Sequence, residues 1–114
     1  MESTRQQKIN KLIQRDLGEN FRLESRSILT TGAMITVTKV SVTKDLAIAK
    51  VYLSLFPVDD KETLIKKIKS NSKLFRKMLA SKVRHQLRVV PELNFVLDDS
   101  LDYSENIDKL LKDG

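Results

Sequence analysis

The sequence predicts an α+β fold, a three-stranded sheet covered by helices on one face, and three observations carry that prediction. The spacing of apolar residues switches from three or four to two and back again along the chain. No internal repeat, low-complexity tract or linker divides the 114 residues, a length that supports one modest core and hence a single domain over 1–114. Hydrophobic content of 40% against 32% charged residues belongs to a globular chain rather than a disordered one.

The elements follow in order. Residues 4–21 read as an amphipathic helix, because Ile9, Leu12, Ile13, Leu17 and Phe21 recur at helical spacing while Lys8, Lys11 and Arg15 fall between them. Gly18 weakens its last turn, by about 1 kcal/mol against alanine. After Thr30-Thr31-Gly32 the period becomes two. "AMITVTKVSVT" and "LAIAKVYLSLF" form a hairpin about Lys44-Asp45, with Ala47, Ala49, Val51, Leu53 and Leu55 on one face and Ile48, Lys50, Tyr52 and Ser54 on the other. One apolar and one partly polar face suits an open antiparallel sheet. Pro57 stops the second strand, and Asp59 or Asp60 is placed to cap a long helix.

In that helix Leu64, Ile68, Ser72, Phe75, Leu79, Val83 and Leu87 keep one face inward from about 61 to 87. Ser70, Asn71 and Ser72 compete for backbone hydrogen bonds and predict a bend there. Pro91 disfavours helical geometry at Val90, and "ELNFVL" makes a third strand with Leu93, Phe95 and Leu97 on one face. "DDSLDYSENIDKLL" ends the chain as a turn and a short C-terminal helix. Asp102 and Glu105 have capping-box spacing there, and Ile107, Leu110 and Leu111 face inward.

Catalytic chemistry is poorly represented. His85 is the one histidine and sits among Arg84, Gln86 and Arg88, where a solvated role outweighs a catalytic or metal role. Asp98, Asp99 and Asp102 crowd a turn, and capping explains them better than a divalent cation. Gly18, Gly32 and Gly114 are the only glycines, too few and too scattered for a phosphate-cradling loop. The expectation is a protein that is not an enzyme and uses no cofactor or metal. A polar start, "MESTRQQKINKL", and an apolar stretch broken by Lys50 predict neither a signal peptide nor a membrane span. Together with the absence of cysteine, this points to the cytoplasm.

The net charge of +6 is unevenly distributed: residues 61–88 carry ten Lys or Arg and one acidic residue, Glu62, whereas 89–114 carry two and seven. A solvated helix face normally mixes signs so that pairs form at i,i+4. A one-signed segment instead points to a polyanionic partner. The candidate contacts for RNA are Lys66, Lys69, Lys73, Arg76, Lys77, Lys82, Arg84 and Arg88, with Lys8, Lys11 and Arg15 as weaker members. Of the six aromatic residues only Tyr52 is assigned to the less apolar strand face. Contacts are therefore expected mainly to phosphates, with little support for a base-stacking platform. The acidic tail from Glu92 to Asp113 reads as a solvated surface ahead of a cover over the basic one.

"KINKLIQRDL", "ITVTKVSVTKDLAIAKVYLSLF", "VRHQLRVVPELNFVLDDSLDY" and "ENIDKLL" together resemble the ribosome-binding factor A family, in order and over nearly the whole chain. The resemblance implies a type II KH-like fold with the order α-β-β-α(bent)-β. It also implies an assembly factor that binds the immature small ribosomal subunit and 16S rRNA near its 5′-terminal helix, the neck and the decoding region. Such a factor supports late maturation and rRNA processing, leaves before translation, and is often needed for growth at low temperature. The implied partners are the free small subunit, 16S rRNA and a ribosome-assembly GTPase linked to release; the factor itself is a monomer. The single-strand clamp of ordinary KH domains, a GxxG loop, is missing here. The family's Ala-x-Gly kink is replaced by "SNSK", which leaves Ser70, Asn71 and Ser72 to make the bend. Two alternatives stay open on the residues alone: a KH-like binder of free structured RNA, and an interaction module for an acidic protein.

Overall fold

Helix α1, Thr4–Ile28, begins at a capping box. The Ser3 hydroxyl accepts from the Gln6 backbone N–H (3.1 Å), and the Gln6 side chain accepts from the Ser3 N–H (2.8 Å). A computed structural model describes residues 2–30 and 32–98, so the C-terminal helix, Asp99, Asp102 and most of the acidic tail lie outside the described residues. Ile9, Ile13, Leu17 and Phe21 are buried as the spacing requires. The helix nevertheless runs seven residues beyond the expected end at Phe21. Gly18 does not terminate it, and the following turns are held by an exposed Glu19–Arg22 ion pair and by the Ser27 hydroxyl donating to Glu24.

Strands β1, Met34–Val42, and β2, Ile48–Phe56, pair antiparallel. Their turn is tied by Thr43, whose hydroxyl accepts from the N–H groups of Ala47 and Ile48 (3.1 Å each) and donates to Asp45 (2.7 Å). The same hydroxyl, followed by the Ala47 N–H, holds the Asp45 carboxyl below its ordinary pKa. Leu46 takes a φ of 61° there and remains non-glycine because its side chain packs on the core. Ala49, Val51, Leu53 and Leu55 are buried to 1% exposure or less, but Ala47 lies in the turn and is exposed. A register shift at Thr38 bulges β1.

Helices α2, Lys61–Ser70, and α3, Ser72–Val83, follow, with the break at Asn71 where the bend was expected. β3, Glu92–Leu97, then joins the other side of β2, giving the sheet order β1-β2-β3. Its pairing with β2 is parallel, from Ile48↔Glu92 to Leu53↔Leu97. The sheet is therefore mixed, which corrects the all-antiparallel expectation. The cause is the crossover: α2 and α3 carry the chain back to the end at which β2 began, and only a parallel strand can start there.

Helices α1, α2 and α3 pack on one face of the sheet. Phe21 of α1, Phe75 of α3 and Phe95 of β3 meet at its centre, with ring centroids 4.6, 5.8 and 6.3 Å apart and exposures of 1% or less. These tilted and edge-on contacts lock the crossover onto the first helix. The free edge of β1 is covered by a row of α1 side chains: Gln6 donates to Val42 O (3.1 Å), Asn10 accepts from Val42 N–H (2.9 Å), and Gln14 donates to Val37 O (3.0 Å).

Candidate nucleic-acid interface

The site is built at the helix break. Ser70 Oγ and Asn71 Nδ2 both donate to the Lys67 carbonyl at 2.8 Å, and the Asn71 N–H reaches Ile68 O at 3.0 Å. The side chains thus take a carbonyl that a continuing helix would have used, and Asn71 leaves helical geometry before α3 restarts at Ser72. Phe75, Leu79 and Val83 turn inward with no exposed surface. At 100° per residue this leaves Lys73, Arg76, Lys77, Ala80 and Arg84 on one outward face.

That face is one wall of a groove of about 520 Å³, lined by Lys73, Arg76, Lys77, Ala80, Arg84, Leu87, Arg88 and Val90. The other wall is the return segment into β3. Helix α3 ends at Val83, short of the expected 87, and Val83 O closes the turn that follows by accepting from both Gln86 N–H (2.8 Å) and Leu87 N–H (2.9 Å). Arg76 fixes this second wall: its Nη2 donates to Val90 O at 2.7 Å, and its Nε reaches Val90 O and Pro91 O at 3.2 Å each. Arg76 is therefore a strut as well as a charge. Lys73, Lys77, Arg84 and Arg88 are exposed, and none of them makes an ion pair among the described residues.

The weaker candidates join the same surface. Lys8, Lys11 and Arg15 line a shallow depression of about 490 Å³ together with Gln86 and Leu87. Leu87 thus stands at the border of both depressions, so the charged faces of α1 and α3 meet around it. Arg15 is partly committed to Asp16, at 3.1 Å. The remaining three lie elsewhere. Lys66 and Lys69 are exposed on α2 and line neither depression, and Lys82 is exposed on the flank of α3 opposite Lys73. The Glu19 carboxyl is held below its ordinary range first by the Arg22 hydrogen bond, and Lys82 adds to this.

His85 is exposed in the turn after α3 and lines neither depression. Asp98, the described member of the acidic turn, accepts from the Thr38 hydroxyl at 2.6 Å, and its N–H donates to Leu53 O at 2.7 Å. It therefore secures the end of β3 to the sheet.

Sequence reasoning missed two features. The groove has an apolar floor of Ala80, Leu87 and Val90, and no periodicity in the segment 84–90 announces it. Phe56 is 55% exposed on the outer sheet face, which corrects the view that Tyr52 is alone there. Its parity with Tyr52 along β2 was the available signal.

The family model for ribosome-binding factor A matches residues 5–111. A ribosome-binding factor A from Flavobacterium johnsoniae is 48% identical over 111 residues, covering 97% of this chain and 85% of that protein. The crystal structure of ribosome-binding factor A from Thermus thermophilus superposes with a TM-score of 0.67 at 22% identity, over 81% of this chain and 94% of that one. A Thermus homology model fitted into the cryo-EM map of a 30S complex gives 0.62 at 22% identity, over 79% and 91%. At such identities the structures speak for the fold, which is the expected type II KH-like one.

Proposed function

The chain belongs to the ribosome-binding factor A family, and from that premise we propose that it is an assembly factor that docks on the immature small ribosomal subunit through the groove of α3. The observation that carries this reading is the groove itself: five cations converge on it, and among the described residues no carboxylate lines it. Such a surface suits the phosphate backbone of folded RNA, where contacts add affinity without reading sequence. The relative fitted into a 30S complex supports the same partner. In this reading the protein acts as a cytoplasmic monomer, performs no covalent step and contacts 16S rRNA while late maturation and processing proceed. It leaves before translation with the help of a ribosome-assembly GTPase, and its loss slows growth in the cold.

The test is co-sedimentation with small subunits, large subunits and whole ribosomes over a range of salt, for the unchanged chain and for the combined Lys73→Gln, Lys77→Gln, Arg84→Gln variant. Each phosphate contact contributes about 0.9 to the slope of log affinity against log salt for a duplex, so losing three lowers that slope by about 2–3. Salt-sensitive binding to small subunits alone, weakened in the variant, is the expected result. Equal binding to every particle, or to free structured RNA, favours the general RNA binder. Binding to no RNA at all leaves the interaction module.

A further inference from the structure

The outer face of the sheet points away from the helices and carries a second set of groups that the groove does not use. Along β2, alternation puts Ile48, Lys50, Tyr52, Ser54 and Phe56 on that side. Tyr52 is half-buried, with the Lys39 ammonium 5.8 Å and the Lys50 ammonium 5.6 Å from its ring centroid. Lys39 is its cross-strand partner in β1, and Lys50 stands two residues earlier on β2, so the ring lies between a cation on each strand. Neither lysine makes an ion pair among the described residues. Farther along, Phe56 is 55% exposed opposite Met34, itself 71% exposed. The two aromatic residues are four positions apart on one strand, about 13 Å at 3.3 Å per residue.

We propose that Tyr52, flanked by Lys39 and Lys50, stacks an unpaired base of single-stranded RNA, with Phe56 extending the platform; the proposal rests on the reading that the chain binds ribosomal RNA. The chemistry selects the ligand. The half-buried ring of Tyr52 and the exposed ring of Phe56 offer flat apolar surface on the sheet, and every base has a complementary π-face. The two ammoniums complement phosphates on either side of a stacked nucleotide and are held near the ring by cation–π attraction until RNA arrives. Two carboxylates share the neighbouring strand: Asp98 accepts from the Thr38 hydroxyl, and Glu92 stands opposite Ile48 at the end of β3 away from Phe56; the phosphates of the ligand are therefore assigned to Lys39 and Lys50 on β1 and β2. Since the groove lies on the helical side, the protein would hold two RNA segments, a folded one on α3 and an unpaired one on the sheet.

A Tyr52→Trp substitution places the only tryptophan of the chain at the site, and its emission reports stacking directly. Titration with a single-stranded oligoadenylate is expected to quench it saturably, while a blunt RNA duplex leaves it bright. Tyr52→Ala is expected to weaken oligoadenylate binding at least about fivefold, the low end of what one stacked base contributes, and Tyr52→Phe to retain it. Should Tyr52→Ala fail to fold, Lys39→Gln with Lys50→Gln, which leaves the ring in place, is expected to lower both affinity and salt dependence. Unquenched emission with unchanged oligonucleotide affinity overturns the proposal, and so does equal quenching by polyglutamate. The same proteins are sedimented with small subunits. If the subunits still bind while stacking is absent, only the sheet site fails; if the unchanged chain does not bind subunits, the assembly-factor reading fails instead.

Discussion

Arg76 tests whether the basic groove is a shaped site or merely a charged one. Replacing it with glutamine keeps a polar chain of moderate length but removes the guanidinium that bridges α3 to Val90 O and Pro91 O. One contact is short, at 2.7 Å, and the other is shared between two carbonyls at 3.2 Å. A hydrogen bond from a charged donor nets about 1.5–3 kcal/mol. Because Arg76 is itself exposed and water can replace part of the loss, we take about 2 kcal/mol for both together. For 114 residues the unfolding entropy is about 240 cal/mol/K, so Tm should fall by about 8 °C. Lys77→Gln, one residue along and without a partner among the described residues, should move Tm by no more than about 2 °C. Calorimetry of the two variants gives the comparison, and amide exchange at Glu92 and Leu93 should accelerate in the first alone. Equal Tm values for Arg76→Gln and Lys77→Gln would refute the strut, and the groove would then be an accident of surface charge.

Two further outcomes follow from local geometry. A Cβ added at Gly18 meets nothing within 4 Å, so Gly18→Ala recovers the helical penalty of glycine, about 1 kcal/mol, and should raise Tm by about 4 °C; a lowered Tm would mean the position is constrained in a way the packing does not reveal. Asp60 caps α2, and its carboxyl is held below its ordinary pKa, first by the Thr63 hydroxyl and then by the Thr63 N–H. A depressed carboxyl contributes stability above its unfolded pKa and loses it as pH falls through the folded one. Asp60→Asn caps without charge, so the Tm advantage of the unchanged chain should be constant above about pH 5 and shrink below about pH 4. A difference independent of pH would remove the carboxylate's role.

How much of this was legible depended on whether the signal was local. The inward stripes of α1 and α3, the hairpin, the cap at Asp60 and the break at Asn71 all arise from residues a few positions apart, and each appears where the spacing puts it. The parallel pairing of β3 was also available, because a helical run of more than twenty residues between two strands is the mark of a crossover. Reading the polar face of β2 as evidence for an antiparallel sheet overrode it. What could not be read is the second wall of the groove. The segment 84–90 has no period, and its path is set by Val83 O, by Arg76 and by burial of Val90, all contacts made in three dimensions.

The helix break explains why the basic segment divides as it does. On an unbroken helix, Lys66, Lys69, Lys73, Arg76 and Lys77 would fall within an arc of about 100°, a single long cationic stripe suited to any polyanion. Lys82 would lie about 160° from Lys66 and outside it, and in the structure it lines neither depression. The break at Asn71 ends that stripe after α2. Lys66 and Lys69 stay with α2, while Lys73, Arg76, Lys77 and Arg84 belong to the α3 wall and face Arg88 across the groove. A linear stripe has thereby become a concave site whose far wall is pinned by one of its own cations. Concavity matters because charges on two walls can contact a phosphate ridge from both sides, which a flat stripe cannot do. The Ser70-Asn71-Ser72 sequence therefore determines the shape of the interface without contributing any of its charge.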